Sequence, residues 1–226
     1  VIEELLPELV VAVEAHGDDP LWDAPLYPGE EALVARSVAK RRREFTAARG
    51  CARRAMEKLG VPAQPILRAE RGAPRWPDGL IGSMTHCDGY CAAALARAAD
   101  LASLGIDAEP HGRLPDGVGA SVFLPAEAER LDRLAGQRPD VHWDRILFSA
   151  KESVYKAWFP LVRSWLDFTE ADITLDPGPG GEPHGTLRAQ LLVPGPRVGG
   201  RRLQVFDGRW AVRDGVVATA VVVPHP

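Results

Sequence analysis

Residues 89–109 read GYCAAALARAADLASLGIDAE, two apolar runs separated by a polar turn. Each run has the length of a strand, so the stretch predicts two strands joined by that turn. Upstream, ILRAERGAPRWPDGLIGSMTH (66–86) is a Pro-rich, strand-like connection. Before it, Glu30 to Leu59 follows a helical pattern, in one piece or two, ended by Gly60 and Pro62. The opening ELLPELVVAVEA (4–15) reads as a strand with loops, and DDPLWDAPLYPGE (18–30) as turns.

Downstream the order repeats. Pro125–Ala135 and Trp143–Leu161 read as helices, the first with Pro in its opening turn. DPGPGGEPHG (176–185) is a breaker cluster. RLQVFDGRWAVRDGVVATAVVV (202–223) is a strand meander with expected turns at Asp207-Gly208 and Asp214-Gly215. Each half runs from helix to antiparallel strands. Two similar α+β lobes meeting near residue 110 fit this order, and so does one unrepeated α+β domain.

A chain of 226 residues can bury a sizeable core, and 46% hydrophobic with 26% charged residues is ordinary for a globular protein. A net charge of −4 argues against a general nucleic-acid binder. Cys51, Cys87 and Cys91 form no CxxC pair, so neither a disulfide framework nor a zinc site is expected, and a reducing compartment fits. The N-terminal VIEELLPELVVAVEA lacks the basic region of a secretory signal. The longest apolar run, VVATAVVV (216–223), is far short of the roughly 20 residues of a membrane helix. A cytoplasmic location is expected.

Four clusters carry chemistry. In the first long helix, Val34, Val38, Phe45, Ala48, Ala52 and Leu59 step along one face, and Arg41 takes the slot between Val38 and Phe45. A guanidinium on an apolar stripe must snorkel or find an anion. Arg49 stands at the edge of the same stripe, whereas Lys40, Arg42, Arg43, Arg53 and Arg54 read as a solvated face. Second, if LASLGIDAE is a strand, alternation sends Asp107 and Glu109 to one side, a pair of hard oxygen ligands suited to magnesium with phosphates. Third, in FSAKESVYKAW (148–158), Glu152 and Lys156 lie one helical turn apart. They read either as an exposed ion pair or as groups facing a cleft and a phosphate. Fourth, Thr85-His86 follows a run carrying Arg68, Arg71 and Arg75. Cations gathered from separate segments, with a divalent ion, suit a ligand with several phosphates.

In this order the pieces RREFTAARGCARRAM, RGAPRWP, GSMTHCDGYCAAA, LGIDAEP, VFLPAEAERL and FSAKESVYKAW resemble the phosphopantetheinyl transferases of the surfactin-synthetase-activating type, especially the enterobactin synthase component D branch. The resemblance covers roughly residues 36–160, and its specific element is GIDAE followed about 40 residues later by FSAKES-YKAW. It implies an α+β fold, a pseudo-twofold pair of similar α/β lobes with the active site in the cleft between them. Residues 1–110 would be the N-terminal lobe with coenzyme A contacts, and 111–226 the C-terminal lobe with the Lys-Glu helix. It further implies magnesium, or manganese, on Asp107, Glu109 and Glu152. His86 would meet the 3′-phosphate of coenzyme A, with Arg41 and Arg49 in the same pocket and Arg68, Arg71, Thr85 and Lys156 as further contacts. Relatives often carry Lys where Arg71 stands, which keeps charge but alters geometry. AWFPLVRSWLDF (157–168) lacks the Gly-rich turn of many relatives, so no contacts are carried over there.

The implied reaction moves the 4′-phosphopantetheine arm of coenzyme A to a serine of an apo acyl, peptidyl or polyketide carrier, releasing 3′,5′-ADP. Glu152, directly or through a water, would be the base, and Lys156 would stabilise the departing phosphate. The two-lobed reading makes a monomer sufficient, with no nucleic-acid or membrane partner. Two other classes use the same residues: a magnesium nuclease or phosphodiesterase working with Lys151 or Lys156, and a non-catalytic nucleotide-binding module.

Overall fold

A computed structural model describes residues 1–180 and 182–226; Gly181, in the breaker cluster, lies outside the described residues. The chain opens with α1 (Ile2–Leu5), β1 (Val11–His16), α2 (Pro28–Val34) and α3 (Ala39–Lys58). Next come β2 (Leu67–Arg68), β3 (Pro74–Arg75), β4 (Leu80–Cys87), β5 (Tyr90–Arg97) and β6 (Leu101–Pro110). Then follow α4 (Val118–Val122), α5 (Pro125–Gln137), α6 (Trp143–Val162), β7 (Ala171–Pro177) and β8 (His184–Leu191). The short pair β9 (Arg197–Val198) and β10 (Arg201–Arg202) precedes the long hairpin of β11 (Val205–Arg213) and β12 (Val216–Pro224).

The helical pattern from Glu30 to Leu59 resolves into two helices that break before Val38. The α3 helix stops where Gly60 donates to the Glu57 carbonyl and Val61 to that of Met56, the double bond of a glycine-terminated helix. The opening is not strand throughout, because Ile2 and Leu5 turn their apolar side chains into the core from a helical turn. Asp207-Gly208 is not a turn either. It lies inside β11, where a Cβ on Gly208 would stand 2.2 Å from the Ala220 carbonyl oxygen, so glycine serves close packing there. Asp214-Gly215 is the two-residue hairpin turn, with φ of 51° and 76°.

In the first half, α3 covers an antiparallel sheet of order β1-β5-β4, burying Ala47, Ala52, Ala55 and Met56 against Val13, Ala93 and Leu95. In the second half, α6 covers a five-stranded sheet of order β6-β12-β11-β8-β7. A third cluster, with Ala92, Ala94, Leu104, Ile106 and Ala218, fills the space on the far side of both sheets. The two halves share an internal brace. Glu30, early in α2, accepts from Tyr27 N–H (3.0 Å), Ile66 N–H (3.0 Å) and the Arg53 guanidinium (2.8 Å) of α3. Glu127, early in α5, accepts from Leu124 N–H (2.8 Å), Ile173 N–H (2.8 Å) and the Lys151 ammonium (2.7 Å) of α6. Both carboxylates are fully buried and each ties a capping turn, a long helix and the following chain together. Two α/β parts built alike are therefore present.

The parts meet along β4 and β6. These strands run side by side in the same direction without a backbone ladder. Instead Ile106 N–H donates to Ser83 Oγ (3.1 Å) and Ala108 N–H to Thr85 Oγ1 (2.9 Å). The α6 helix lies directly on β6, since a Cβ on Gly105 would fall 2.1 Å from the Ser153 carbonyl oxygen. That approach sets Asp107 beneath Ser149 and Lys156.

Candidate functional site

A cavity of about 900 Å³ opens over this seam, walled by α3, the 68–76 segment and β4 on one side and by β6 and α6 on the other. Seven of its lining side chains are Arg or Lys against three carboxylates, in a chain whose net charge is −4. Charge of one sign focused in a concave site favours a polyanion.

Arg41, Arg49, Arg68, Arg71, Thr85, His86, Asp107, Glu152 and Lys156 all line it; Glu109 does not. Arg41 reaches it by a different route from the one its sequence position suggests. Val38 is 73% exposed and caps the helix, so the buried stripe of α3 begins at Phe45 and Arg41 stands exposed at the cavity rim. Its Nη1 donates to His86 Nε2 at 2.6 Å, while His86 Nδ1 faces the Glu44 carboxylate at 3.4 Å. Burial, with a lesser push from Arg41, lowers the His86 pKa against the pull of Glu44. Arg49, only 8% exposed, stacks its guanidinium 3.7 Å from the Phe45 ring centre and leaves Nε without a partner. Burial draws its pKa down to about 10, so it remains charged at neutral pH. Arg68, Arg71 and Arg75 are exposed and meet no carboxylate among the described residues.

On the other wall, Asp107 is 5% exposed and accepts from Ser149 Oγ (2.8 Å) and Lys156 Nζ (2.8 Å). Lys156 also donates to the Ile106 carbonyl (2.9 Å). Glu109, two residues along the same face, turns to Arg145 (2.9 Å), whose guanidinium also holds the carbonyls of Gly112 and Arg113. Glu152 has no hydrogen bond or ion pair among the described residues. Burial first, then the charges of Asp107 and Glu109, raises its pKa; burial and Asp107 do the same to Glu109. The three carboxylates thus crowd one another electrostatically, although no trio of His, Cys, Asp or Glu is drawn together as a metal cage among the described residues.

Lys151 is not part of the site. Its side chain is 1% exposed and its ammonium is spent on Glu127 and the carbonyls of Phe168 and Ala171, which removes it from any nuclease role. Sequence reasoning missed Tyr155, Phe159, Pro160 and Arg163, which line the cavity with Glu152 and Lys156. Their spacing of three and four residues was a visible signal on one helical face. Glu152 and Tyr155 also border a second cavity of about 200 Å³ with Trp165 and Phe168.

Comparison with known proteins agrees with this geometry. The family model for the 4′-phosphopantetheinyl transferase N-terminal domain matches residues 29–96, and that of the 4′-phosphopantetheinyl transferase superfamily matches residues 103–194. Over its whole length the chain is 58% identical to 4′-phosphopantetheinyl transferase Svp of Streptomyces mobaraensis, covering 90% of that protein. It is 49% identical to the transferase Npt of Nocardia iowensis over 97% of this chain and 98% of the relative. With the transferase PptT of Mycobacterium tuberculosis the identity is 46% over 98% and 97%. Paired lobes, a cation-lined cavity across their seam and full-length identity of this order place the chain in the 4′-phosphopantetheinyl transferase family.

Proposed function

We infer that this chain transfers the 4′-phosphopantetheine arm of coenzyme A to a serine of an apo carrier protein, of acyl, peptidyl or polyketide type. The observation that carries this reading is the single cavity joining the cations of the first part to Asp107, Glu152 and Lys156 of the second. Arg41, Arg49, Arg68, Arg71, Thr85 and His86 then fall on residues 1–110 and the Glu152–Lys156 helix on 111–226. A monomer is the proposed working unit, since the two parts of one chain supply both walls of the cavity. No helix is long and apolar enough to cross a membrane.

The serine oxygen attacks the phosphorus that bears pantetheine, the new O–P bond forms, and 3′,5′-ADP leaves with the electron pair of the broken P–O bond. Glu152 accepts the serine proton; unlike Asp107 and Glu109, it is tied to no cation among the described residues. Lys156, poised at the same edge, balances charge on the departing phosphate. His86, Arg41 and Arg49 would take the 3′-phosphate, with Arg68, Arg71 and Thr85 as further contacts. Asp107, Glu109 and Glu152 would supply the ligands of a magnesium or manganese ion, Glu109 turning to it from Arg145. They offer hard oxygens, and their crowded negative charge is what a divalent cation relieves. Such an ion, when bound, neutralises diphosphate charge. Proximity and charge do the catalysis, not covalent chemistry.

The test incubates the protein with coenzyme A, magnesium and a panel of apo carriers and weighs each carrier. A mass gain of one phosphopantetheine arm is expected. No gain on any carrier, with DNA cleavage by the same preparation, would overturn the reading.

A further inference from the structure

Three non-glycine residues among those described have positive φ: Arg71 (53°), Arg163 (60°) and Asp214. Asp214 sits in the hairpin turn that requires it. The other two line the same cavity from its opposite parts. Arg71 projects from the 70–72 turn, and its charge acts against the burial that raises the pKa of the Tyr155 phenol on α6. Arg163 caps α6 with a left-handed backbone (ψ 25°), its N–H bonded to the Phe159 carbonyl at 2.8 Å. Helices commonly end at such a position with glycine. An arginine there is a strained choice, and strain of this kind gathers at ligand sites.

Among the described residues the Arg163 guanidinium makes no hydrogen bond or ion pair. Its place on the helix says what could use it. Glu152, Lys156, Phe159, Pro160 and Arg163 form one face of α6 along the cavity. Arg163 stands seven residues beyond Lys156, on the order of 10 Å along the axis at 1.5 Å per residue. Between them the lining is apolar: Phe159 and Pro160, with Ala102 and Ala73 packed against the same core. If Lys156 meets the diphosphate, the group lying a ribose further on is a flat, apolar purine.

We propose that Arg163 is a nucleotide-binding residue of the cavity, closing its guanidinium over the adenine ring of coenzyme A opposite Arg71. The proposal rests on coenzyme A as the occupant. A planar guanidinium on an aromatic face is a recurrent contact, and it needs the Arg side chain, not merely a charge.

The test exploits the backbone. Arg163→Gly removes the side chain yet suits the left-handed conformation, so its melting temperature should equal or exceed that of wild type. Calorimetric titration should show the Kd of 3′,5′-ADP rising roughly three- to thirtyfold, the span of a cation–ring contact from exposed to desolvated sites. The Kd of 4′-phosphopantetheine should stay unchanged, and Arg163→Lys should recover little. Unaltered 3′,5′-ADP affinity in a folded glycine variant, equal losses for both ligands, or full rescue by lysine would each overturn the assignment to adenine. A folded wild type that binds neither ligand would instead sink the coenzyme A reading.

Discussion

Asp107 holds Ser149 and Lys156 and Glu109 holds Arg145, whereas Glu152 has nothing tied to it among the described residues. The difference decides which substitution isolates chemistry from folding. Asp107→Ala strips a partner from a buried hydroxyl and an ammonium, so it should cost about 1–3 kcal/mol of stability besides activity. Glu152→Gln keeps shape and leaves no partner stranded. Its melting temperature should match wild type while turnover falls by about 10²–10⁴, the usual worth of a positioned base. Single-turnover transfer with a saturating carrier measures this; a rate within threefold of wild type would remove Glu152 from the role. Arg41 needs the opposite adjustment. Because it is exposed, Arg41→Leu replaces no buried charge, and no gain in melting temperature is expected. Weaker coenzyme A binding by about 1.5–3 kcal/mol is expected, from the loss of a charged hydrogen bond. Calorimetry of the variant checks it, and unchanged affinity would count against a phosphate contact.

At the scale of elements, α6 owes its position to a buried ion pair that its sequence did not advertise. Lys151 reads as one more cation beside Glu152, yet its partner Glu127 lies 24 residues earlier, a distance no helical period encodes. Lys151→Met leaves the Glu127 carboxylate buried without its charge partner, a loss of about 3–5 kcal/mol. In a domain this size that corresponds to roughly 6–20 °C in melting temperature. Glu127→Gln combined with Lys151→Met should regain part of it, because no unpaired charge is left buried; the single amide oxygen can replace only one of the two carboxylate oxygens that accept from Leu124 and Ile173. A single variant that melts like wild type would show that the brace is not what holds α6. The legible elements were those with a local signal. The 3.6-residue stripes marked both long helices, and alternation put Asp107 and Glu109 on one face. What stayed hidden depends on contacts distant in sequence. Asp207-Gly208 carries a hairpin signature, yet β11 runs on because Gly208 must pass close to β12. Val38 is apolar, yet it caps a helix in water. Most of the cavity wall was readable residue by residue, through a resemblance. At the Arg163 end only the helical spacing was visible, because no pattern of composition marks a strained helix cap.

Over the whole molecule, the floor of the cavity and the junction of the two parts are one structure. Ser83, Thr85 and Asp107 line the cavity, and Ser83 and Thr85 carry the bonds that replace a backbone ladder between β4 and β6. Two hydroxyls are a weak substitute for a ladder. An occupant reaching from Arg49 to Lys156 would add contacts across the same seam. Ser83→Ala tests this coupling, because it leaves the buried Ile106 N–H without an acceptor at a cost of about 1–3 kcal/mol. In the free variant, hydrogen exchange at Ile106 should speed up while amides in the middle of α6 exchange only as the global stability dictates. Ser83→Thr keeps the hydroxyl and should behave as wild type. Coenzyme A at 100 times its Kd stabilises the folded state by about 2.7 kcal/mol through mass action alone. If the ligand also bridges the parts, exchange at Ile106 should slow in both proteins by more than the global stability gain accounts for. Equal slowing of Ile106 and of the most protected α6 amides would mean that the ligand stabilises the fold without fastening the seam. Unchanged Ile106 exchange in Ser83→Ala would mean that the hydroxyl does not hold the strands together.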